Sequence, residues 1–293
     1  MPELPEVETV RIGLESLILN KTVKEVAHDW PKSFPNAQSD VDEFLIGSKI
    51  NDVRRRAKVL LIDLDTDYTI MVHLKMTGQM VFVGRERFGA GHPNESLVQE
   101  LPDKSTRVTL MFTDGSNLFF NDQRKFGWMK LLPTEAVAEE PFMQKVGPEP
   151  LSNSFTSEVF IERIRKRKGT SIKAALLDQT VLAGIGNIYA DEGLWGARIH
   201  PARTVADVTD EELRTLHGEL VYVLKLAIEK GGSTDRNYVN AEGKKGSYID
   251  FARVFRREGL TCPRCDSVIE KSRVAGRGTH TCLTCQKHKH EQK

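Results

Sequence analysis

Cysteine is missing from most of this 293-residue chain, because all four cysteines lie between Cys262 and Cys285. A disulfide framework that holds the whole fold together is therefore excluded. Long apolar runs are also missing, since no stretch approaches the roughly 18 apolar residues of a membrane span. The N-terminus lacks the apolar core of a secretory signal, so we expect a cytoplasmic protein without a membrane partner. No internal repeat is visible, which argues against a solenoid.

The net charge of +1 is distributed unevenly along the chain. Residues 244–293 contain twelve Lys and Arg against five Asp and Glu, and a second basic run covers residues 163–168. Such runs are either solvated surface or a footprint for a polyanion. Composition leaves both interpretations open.

Two segments of different character indicate an α+β fold. An amphipathic helix over Pro5–Leu19 precedes eight short β-type runs, whose spacing predicts antiparallel sheets packed as a sandwich. A proline-rich connector follows, and then helical segments up to Lys230, one of which begins with a capping box at Thr209 and Glu212. The predicted strands are Thr22–Ala27, Lys49–Arg54, Val59–Leu64, Thr69–Leu74, Gln79–Val83, Arg107–Phe112, Asn117–Asn121 and Trp128–Leu132.

The four cysteines form two CxxC pairs separated by sixteen residues, Cys262 with Cys265 and Cys282 with Cys285. This spacing predicts one tetrahedral zinc ion bound by four thiolates. Because sulfur closes all four positions, the ion would be structural and would fold the basic tail. A redox CxxC pair is the alternative, which two pairs in one basic tail disfavour.

Three motifs resemble the formamidopyrimidine-DNA glycosylase family and keep its order. They are PELPEVE at Pro2–Glu8, GIGNIYADE at Gly184–Glu192, and GRGT at Gly276–Thr279 just before Cys282. The resemblance runs from residue 2 to Gln286. It implies a monomeric base-excision-repair enzyme that removes 8-oxoguanine and formamidopyrimidines from double-stranded DNA and then cleaves the strand by β,δ-elimination.

The resemblance also divides the chain into functional parts. It implies a catalytic β-sandwich domain over residues 1–132, a connector over 133–150 and a helix-two-turn-helix domain with a lesion-lid loop over 151–257. A zinc-finger tail over 258–293 completes the chain. The enzyme would associate with the nucleoid through its DNA.

The resemblance makes Pro2 the nucleophile. Removal of Met1 would leave a secondary amine, and an α-amino pKa of about 8 leaves a usable neutral fraction at pH 7. Its attack on C1′ of the sugar gives an iminium that can serve both base release and strand cleavage. Glu3 is implied as the proton carrier, and Lys58 as a catalytic-site lysine at the lesion-strand phosphate. Without the motif, Pro2 could simply begin a helix.

Glu6 and the void-filling residues each leave an alternative open. Glu6 either supports the site through a water or lies on a solvated helix face. By resemblance, Met76 and Phe126 fill the gap left by a flipped nucleotide, while Arg124 pairs with the orphaned base. The residue types alone would equally suit a core position for Met76 and Phe126.

The other DNA-binding residues follow from the same resemblance. His73, Asn187 and Arg277 are implied to bind phosphates, which position an enzyme without reading sequence. Lys173 occupies the position of a family lysine near the damaged base.

The chain departs from the family pattern at two places. Phe255 and Arg256 stand where the family has tyrosine and glycine, which removes a hydroxyl and adds a charge. Residues 84–104 form a long polar stretch to which the sequence assigns no role.

Two rival functions remain at this point. The endonuclease VIII branch shares the Pro2 chemistry and acts on oxidised pyrimidines; Leu4 and the lid-like Asn237–Asn240 segment favour the purine branch instead. A non-catalytic zinc-finger DNA-binding protein is the other rival. It would not depend on a free N-terminus.

Overall fold

The computed structural model describes residues 1–233 and 248–288 of the chain. These residues form two compact units, one with Met1–Gln144 and the stretch that begins at Lys230, the other with Lys145–Glu229 and the stretch that begins at Tyr248. The lid prediction at Asn237–Asn240 lies outside the described residues. Within the described ranges no helix is long and apolar enough to cross a membrane.

Among the residues that the structure describes, the first unit contains one long helix and nine strands. Helix α1 spans Leu4–Ile18 and the short helix α2 spans Gln38–Asp40. The strands are β1 (Val23–His28), β2 (Ile50–Arg56), β3 (Val59–Leu64), β4 (Tyr68–His73), β5 (Gly78–Val83), β6 (Arg87–Gly91), β7 (Thr106–Phe112), β8 (Asn117–Asp122) and β9 (Trp128–Pro133).

The nine strands form two antiparallel sheets. One sheet has the order β1-β7-β8-β5-β6 and the other the order β2-β3-β4-β9. Apolar side chains from both sheets and from α1 form a shared buried core. Alternating side chains on paired strands can line one face of each sheet, so burial of that face drives the pairing. The predicted α+β class with a β-sandwich is confirmed.

Strand β6 belongs to the polar stretch of residues 84–104 and was not among the predicted strands. It pairs with β5 at the edge of the five-stranded sheet, and a 3₁₀ turn at Glu95–Leu97 follows. Phe88 of β6 is buried against Gly13 of α1. Because only one strongly apolar side chain occurs in RFGAG, the pattern of this strand was too weak to predict it.

The second unit is helical and ends in a β-hairpin. Its helices are α4 (Ser157–Arg165), α5 (Ile172–Leu177), α6 (Asn187–Gly196) and α7 (Asp210–Glu229); α3 (Pro141–Lys145) lies where the two units meet in sequence. The predicted capping box of α7 is confirmed, since Glu212 N–H donates to Thr209 Oγ1 and Thr209 N–H donates to Glu212 Oε2. The hairpin consists of β10 (Glu270–Val274) and β11 (Arg277–Thr281).

Gly13→Ala tests the packing of β6 on α1. A Cβ at Gly13 would lie 2.1 Å from Phe88 Cζ, so we expect the free energy of unfolding to fall by about 1–3 kcal/mol. Gly218→Ala in α7 is the matched control, because no heavy atom lies within 4 Å of its Cβ position. That change should stabilise by about 0.5–1 kcal/mol. Equal effects of the two changes in denaturant unfolding would contradict the packing.

Candidate functional site

The N-terminal residues are held at the first turn of α1. Pro2 and Glu3 are buried, whereas Met1 is 49% exposed. Glu3 is the extended N-cap residue of the helix, and its N–H donates to Glu6 Oε2 at 2.8 Å within a capping box. Pro2 therefore occupies a fixed position just outside a helix end. Loss of Met1 would leave the Pro2 nitrogen at that position.

The Glu6 carboxylate connects this helix end to a second stretch of backbone. Glu6 is 3% exposed, and its Oε1 accepts a hydrogen bond from Ser233 N–H at 2.7 Å. Gly232 has a φ of +81°, and a Cβ there would lie 3.2 Å from Glu6 Oε1. A solvated helix face is therefore the wrong interpretation of Glu6, because its two oxygens fix the backbone at Glu3 and at Ser233.

Lys58 lies in the two-residue turn between β2 and β3 and is only 6% exposed. Ala57 before it has a positive φ of +54°, and its carbonyl accepts a hydrogen bond from Arg55 Nη1 at 2.9 Å. Arg55 Nε also pairs with Glu8 of α1 at 2.7 Å. The Glu8 to Arg55 ion pair thus joins the Lys58 turn to the helix that carries Pro2.

His73 is the last residue of β4 and pairs with Val59 of the neighbouring strand β3. Val59 directly follows Lys58 in the sequence. Burial, together with the positive charges of Lys75 and Lys58, lowers the pKa of His73 to about 3. The ring is therefore neutral at physiological pH. Its Nδ1 accepts from Lys75 N–H at 3.1 Å, which assigns the ring proton to Nε2. His73 can donate one hydrogen bond, but it brings no charge to a phosphate.

Met76 and the pair Arg124 and Phe126 lie on two turns that share one hydrogen-bond network. Thr77 Oγ1 donates to the buried Asp122 carboxylate, which also accepts from Gly127 N–H at 2.6 Å. Arg124 N–H donates to Thr77 Oγ1 at 3.1 Å. The structure therefore brings the predicted void-filling turns together.

The side chains on these turns are available at the surface. Phe126 is 54% exposed, and the Arg124 guanidinium stacks over its ring at 4.9 Å. Met76 is half-buried. A core position is thus excluded for Phe126. Thr77 and Asp122 were not predicted, although an aspartate directly before a turn is a recognisable turn signal.

The basic run at residues 163–168 is largely used within the second unit. Arg163 donates to the Thr180 and Val181 carbonyls, and Arg165 to the Val205 and Val208 carbonyls. Arg167 pairs with Asp178 at 2.7 Å. These three arginines fix loops in place and do not form an open polyanion footprint.

Lys173 has a different role from the predicted contact with DNA. Its side chain is fully buried, and its ammonium donates to Asp191 Oδ1 at 2.6 Å, Thr279 Oγ1 at 2.8 Å and the Gly278 carbonyl at 2.9 Å. A lysine with three donors and three partners is satisfied. Lys173 therefore connects α5, α6 and the β10–β11 hairpin. This buried side chain supports the hairpin, so the expectation that it contacts DNA is wrong.

Arg277 is exposed beside the tip of this hairpin. Ala275 and Gly276 form the two-residue turn, both with positive φ, which is typical of a type I′ turn. The Lys173 network thus supports the strand that presents Arg277. The hairpin therefore holds Arg277 at an exposed position close to its tip.

Asn187 is the first residue of α6, after a turn in which Gly184 has a φ of +80°. Its Oδ1 is buried and has no hydrogen-bond partner among the described residues. Buried polar atoms are nearly always hydrogen-bonded, and an amide oxygen accepts, so Oδ1 is suited to a donor group; a phosphate oxygen would instead be bound by the Nδ2–H groups of the same amide. The N-terminus of a helix also favours an anion.

The two acidic residues at the end of the GIGNIYADE motif anchor the tail. Asp191 Oδ2 accepts from His280 N–H at 3.0 Å. The fully buried Glu192 accepts from the backbone N–H groups of Arg253, Val254 and Phe255 at 2.8–3.1 Å. Sequence reasoning missed this structural role, because the acidic residues stand inside a motif whose glycines and asparagine suggested ligand binding.

The four cysteines fit one tetrahedral zinc ion. Their Sγ atoms lie within 4.8 Å of one another, with 4.0 Å between Cys262 and Cys285 and 3.4 Å between Cys265 and Cys282. A tetrahedral ion with Zn–S bonds of about 2.3 Å places its sulfurs about 3.8 Å apart. Trp195 Nε1–H also donates to Cys262 Sγ at 3.4 Å, as suits a thiolate.

Three known sequence families match successive parts of the chain. Residues 1–129 match the formamidopyrimidine-DNA glycosylase N-terminal domain, residues 146–238 the H2TH domain of that glycosylase, and residues 259–287 the zinc finger found in FPG and IleRS. The FPG-type zinc finger and the geometry of the four thiols together support one structural zinc.

Similar proteins cover nearly the whole chain. A formamidopyrimidine-DNA glycosylase of Halalkalibacterium halodurans is 43% identical over 98% of this chain and all of its own length. The one of Ligilactobacillus salivarius is 41% identical over 98% of this chain and 99% of its own.

The fold of this chain is similar to that of solved structures over nearly its whole length. A complex between the Lactococcus lactis Fpg and DNA containing an abasic site has a TM-score of 0.85 at 34% identity, with 98% of this chain and all of that chain covered. The MutM (FPG) protein of Thermus thermophilus has a TM-score of 0.82 at 38% identity, with coverages of 97% and 98%.

Removal of zinc tests the metal site. We expect one zinc per chain, and we expect a chelator to abolish hydrogen-exchange protection in residues 259–287, because thiolate–zinc bonds replace a core in such small modules. Protection of the β-sandwich should remain. Full protection of the His280 amide in zinc-free protein would contradict a structural ion.

Proposed function

The chain belongs to the formamidopyrimidine-DNA glycosylase family, and we propose that its nucleophile is the imino nitrogen of Pro2. The protein is a DNA glycosylase of base excision repair with the lyase activity of its family. The observation that carries the proposal is the immobilised N-terminus, with Pro2 fixed beside the Glu3 and Glu6 capping box. A nucleophile at a chain end is effective only when its position is fixed.

The Pro2 nitrogen attacks C1′ of the damaged nucleotide, and the glycosidic bond breaks with its electron pair on the departing base, which takes up a proton. Glu3, the next residue along the chain, protonates the departing base; its carboxylate then takes the proton that the attacking nitrogen loses and passes it to O4′ as the C1′–O4′ bond breaks. The resulting iminium acidifies C2′, so loss of a C2′ proton and cleavage of the C3′–O bond expel the 3′ phosphate. A second elimination then expels the 5′ phosphate.

Lys58 and His73 bind the phosphate next to the lesion in this proposal. The ammonium of Lys58 supplies the positive charge, and the neutral His73 donates its Nε2–H. His73 pairs with Val59, the residue after Lys58, and this closeness supports a shared ligand. In the second unit, Asn187 and Arg277 bind further phosphates, and the zinc holds the tail that carries Arg277.

Met76, Arg124 and Phe126 occupy the gap left when the damaged nucleotide leaves the stack. Their location on two turns joined through Thr77 and Asp122 supports one concerted insertion. Arg124 is stacked on Phe126, so a guanidinium and an aromatic wedge reach the duplex as one unit.

We propose oxidised purines as the substrate class. A variant of the Lactococcus lactis FPG has been solved with DNA that contains Fapy-dG, which supports oxidised purines as substrates of this chain. We further propose a monomer that acts in the compartment of the genome, with residues 1–132 as the catalytic domain and 151–257 and 258–293 as DNA-binding parts.

Borohydride trapping on duplexes with 8-oxoguanine or dihydrouracil tests the nucleophile and the substrate together. Wild type should form a covalent adduct, and a form that retains Met1 should form none. Glu3→Gln should slow base release by about 10²- to 10⁴-fold, as expected for loss of a general acid. Pro5→Gly is the matched control for Pro2→Gly, since it changes a proline of the same segment but keeps the terminal secondary amine.

Two outcomes would change the proposal in different ways. An adduct that persists when the terminal nitrogen is blocked would exclude Pro2 as the nucleophile. Faster turnover of dihydrouracil than of 8-oxoguanine would instead assign the protein to pyrimidine lesions, as in the endonuclease VIII branch.

A further inference from the structure

The polar stretch of residues 84–104 reaches the Met76 turn through the edge strand β6. Gly78, two residues after Met76, pairs with Asp122 of β8, and Gln79 pairs with Gly91 of β6 on the other side. His92 N–H donates to the Gly78 carbonyl at 3.0 Å. The end of β6 therefore lies against the backbone that leads out of this turn.

Gly91 allows an unusually close approach at this place. Its φ is +123°, and a Cβ there would lie 2.5 Å from the Gly78 carbonyl oxygen and 2.8 Å from Gln79 Cα. Both contacts are with backbone and cannot be relieved by a side-chain rotation. Any larger residue at position 91 would displace Gly78, and with it the Met76 turn.

A buried amide completes the connection. Gln79 is fully buried, and its Nε2 donates to Asn94 Oδ1 at 2.7 Å and to the His92 carbonyl. Its Oε1 accepts from Asn121 Nδ2 of β8 at 3.4 Å. Gln79 thus joins the polar stretch to β8, the strand that ends at Asp122. Asn94 Oδ1 is fixed in turn by Ser96 N–H at 2.9 Å.

We propose that residues 91–94 form a brace that holds Met76 in position for void filling, with Gln79 and Asn94 as positioning residues. The inference rests on the proposed role of Met76. Methionine has three rotatable bonds, so its own side chain is poorly preorganised and its backbone must supply the position. A displacement of about 1 Å at such a place can cost about 100-fold in rate.

The brace is tested with Gly91→Ala and Asn94→Ala, each with a matched control. Gly115→Ala also replaces a glycine of positive φ, +85°, but no heavy atom lies within 4 Å of its Cβ position. Asn94→Asp keeps an oxygen that accepts from Gln79 and Ser96. The aspartate lacks the Nδ2 donor of Asn94, but that nitrogen has no hydrogen-bond partner among the described residues.

Three signals are measured on each variant. They are excision of 8-oxoguanine from a duplex, the fluorescence of 2-aminopurine next to the lesion, and borohydride trapping on a single strand with a preformed abasic site. The single strand has no partner strand and so no void to fill. We expect Gly91→Ala and Asn94→Ala to lower duplex excision about tenfold, or about 1.4 kcal/mol, and to reduce the fluorescence change. Trapping should stay within about twofold of wild type, since the Pro2 chemistry is intact.

The controls separate the possible outcomes. Asn94→Asp and Gly115→Ala should retain wild-type excision, and Met76→Ala should reproduce the defect of the brace variants. If Gly91→Ala excises as fast as Gly115→Ala, or if trapping falls in parallel with excision, the brace is overturned. If Met76→Ala has no effect, void filling by Met76 is wrong and the brace proposal fails with it, while trapping still reports on Pro2. If Asn94→Ala unfolds, the Gly91 and Gly115 pair decides the case.

Discussion

A chain terminus has more conformational freedom than other backbone, and a nucleophile placed there must be immobilised before it can react. In this protein the constraint is the buried carboxylate of Glu6, whose two oxygens accept hydrogen bonds from Glu3 N–H and Ser233 N–H. Burying a carboxylate is costly unless it is hydrogen-bonded, so these bonds and the burial of Glu6 require each other. The ion pair between Glu8 and Arg55 extends the constraint to the Lys58 turn. The proposed chemistry depends on this assembly.

Buried carboxylates that accept backbone N–H groups also fix other loops of this protein. Asp122 accepts the Gly127 N–H and the Thr77 hydroxyl, and so fixes the turns of Met76 and Phe126. Glu192 accepts three backbone N–H groups of the segment at residues 253–255, and Asp191 accepts that of His280. Charge-assisted hydrogen bonds from backbone to carboxylate are stronger than neutral ones, which suits them to fixing loops. The turn of Arg124 and the hairpin of Arg277, two of the proposed DNA-binding cations, are therefore supported by the buried acids Asp122 and Asp191.

Local pattern was sufficient for much of the fold. Short β-type runs predicted eight of the described strands, two CxxC pairs predicted the zinc site, and Thr209 with Glu212 predicted the cap of α7. Partners distant in sequence were beyond such patterns. Lys173 and the arginines of the basic run are chemically the same whether they bind DNA or a carbonyl of their own unit, and only the fold distinguishes the two. Arg256 shows a further limit, because its φ of +57° explains why glycine suits that position, yet the sequence carries no sign of it.

The central claim is that the reacting atom is the nitrogen of residue 2. Mass spectrometry of the borohydride-reduced complex, after digestion of both protein and DNA, tests this most directly. The account predicts that the sugar remnant is attached to the N-terminal peptide that begins at Pro2, with no adduct on peptides that contain Lys58. Attachment to a lysine peptide, or an adduct on chains that still begin with Met1, would contradict the account.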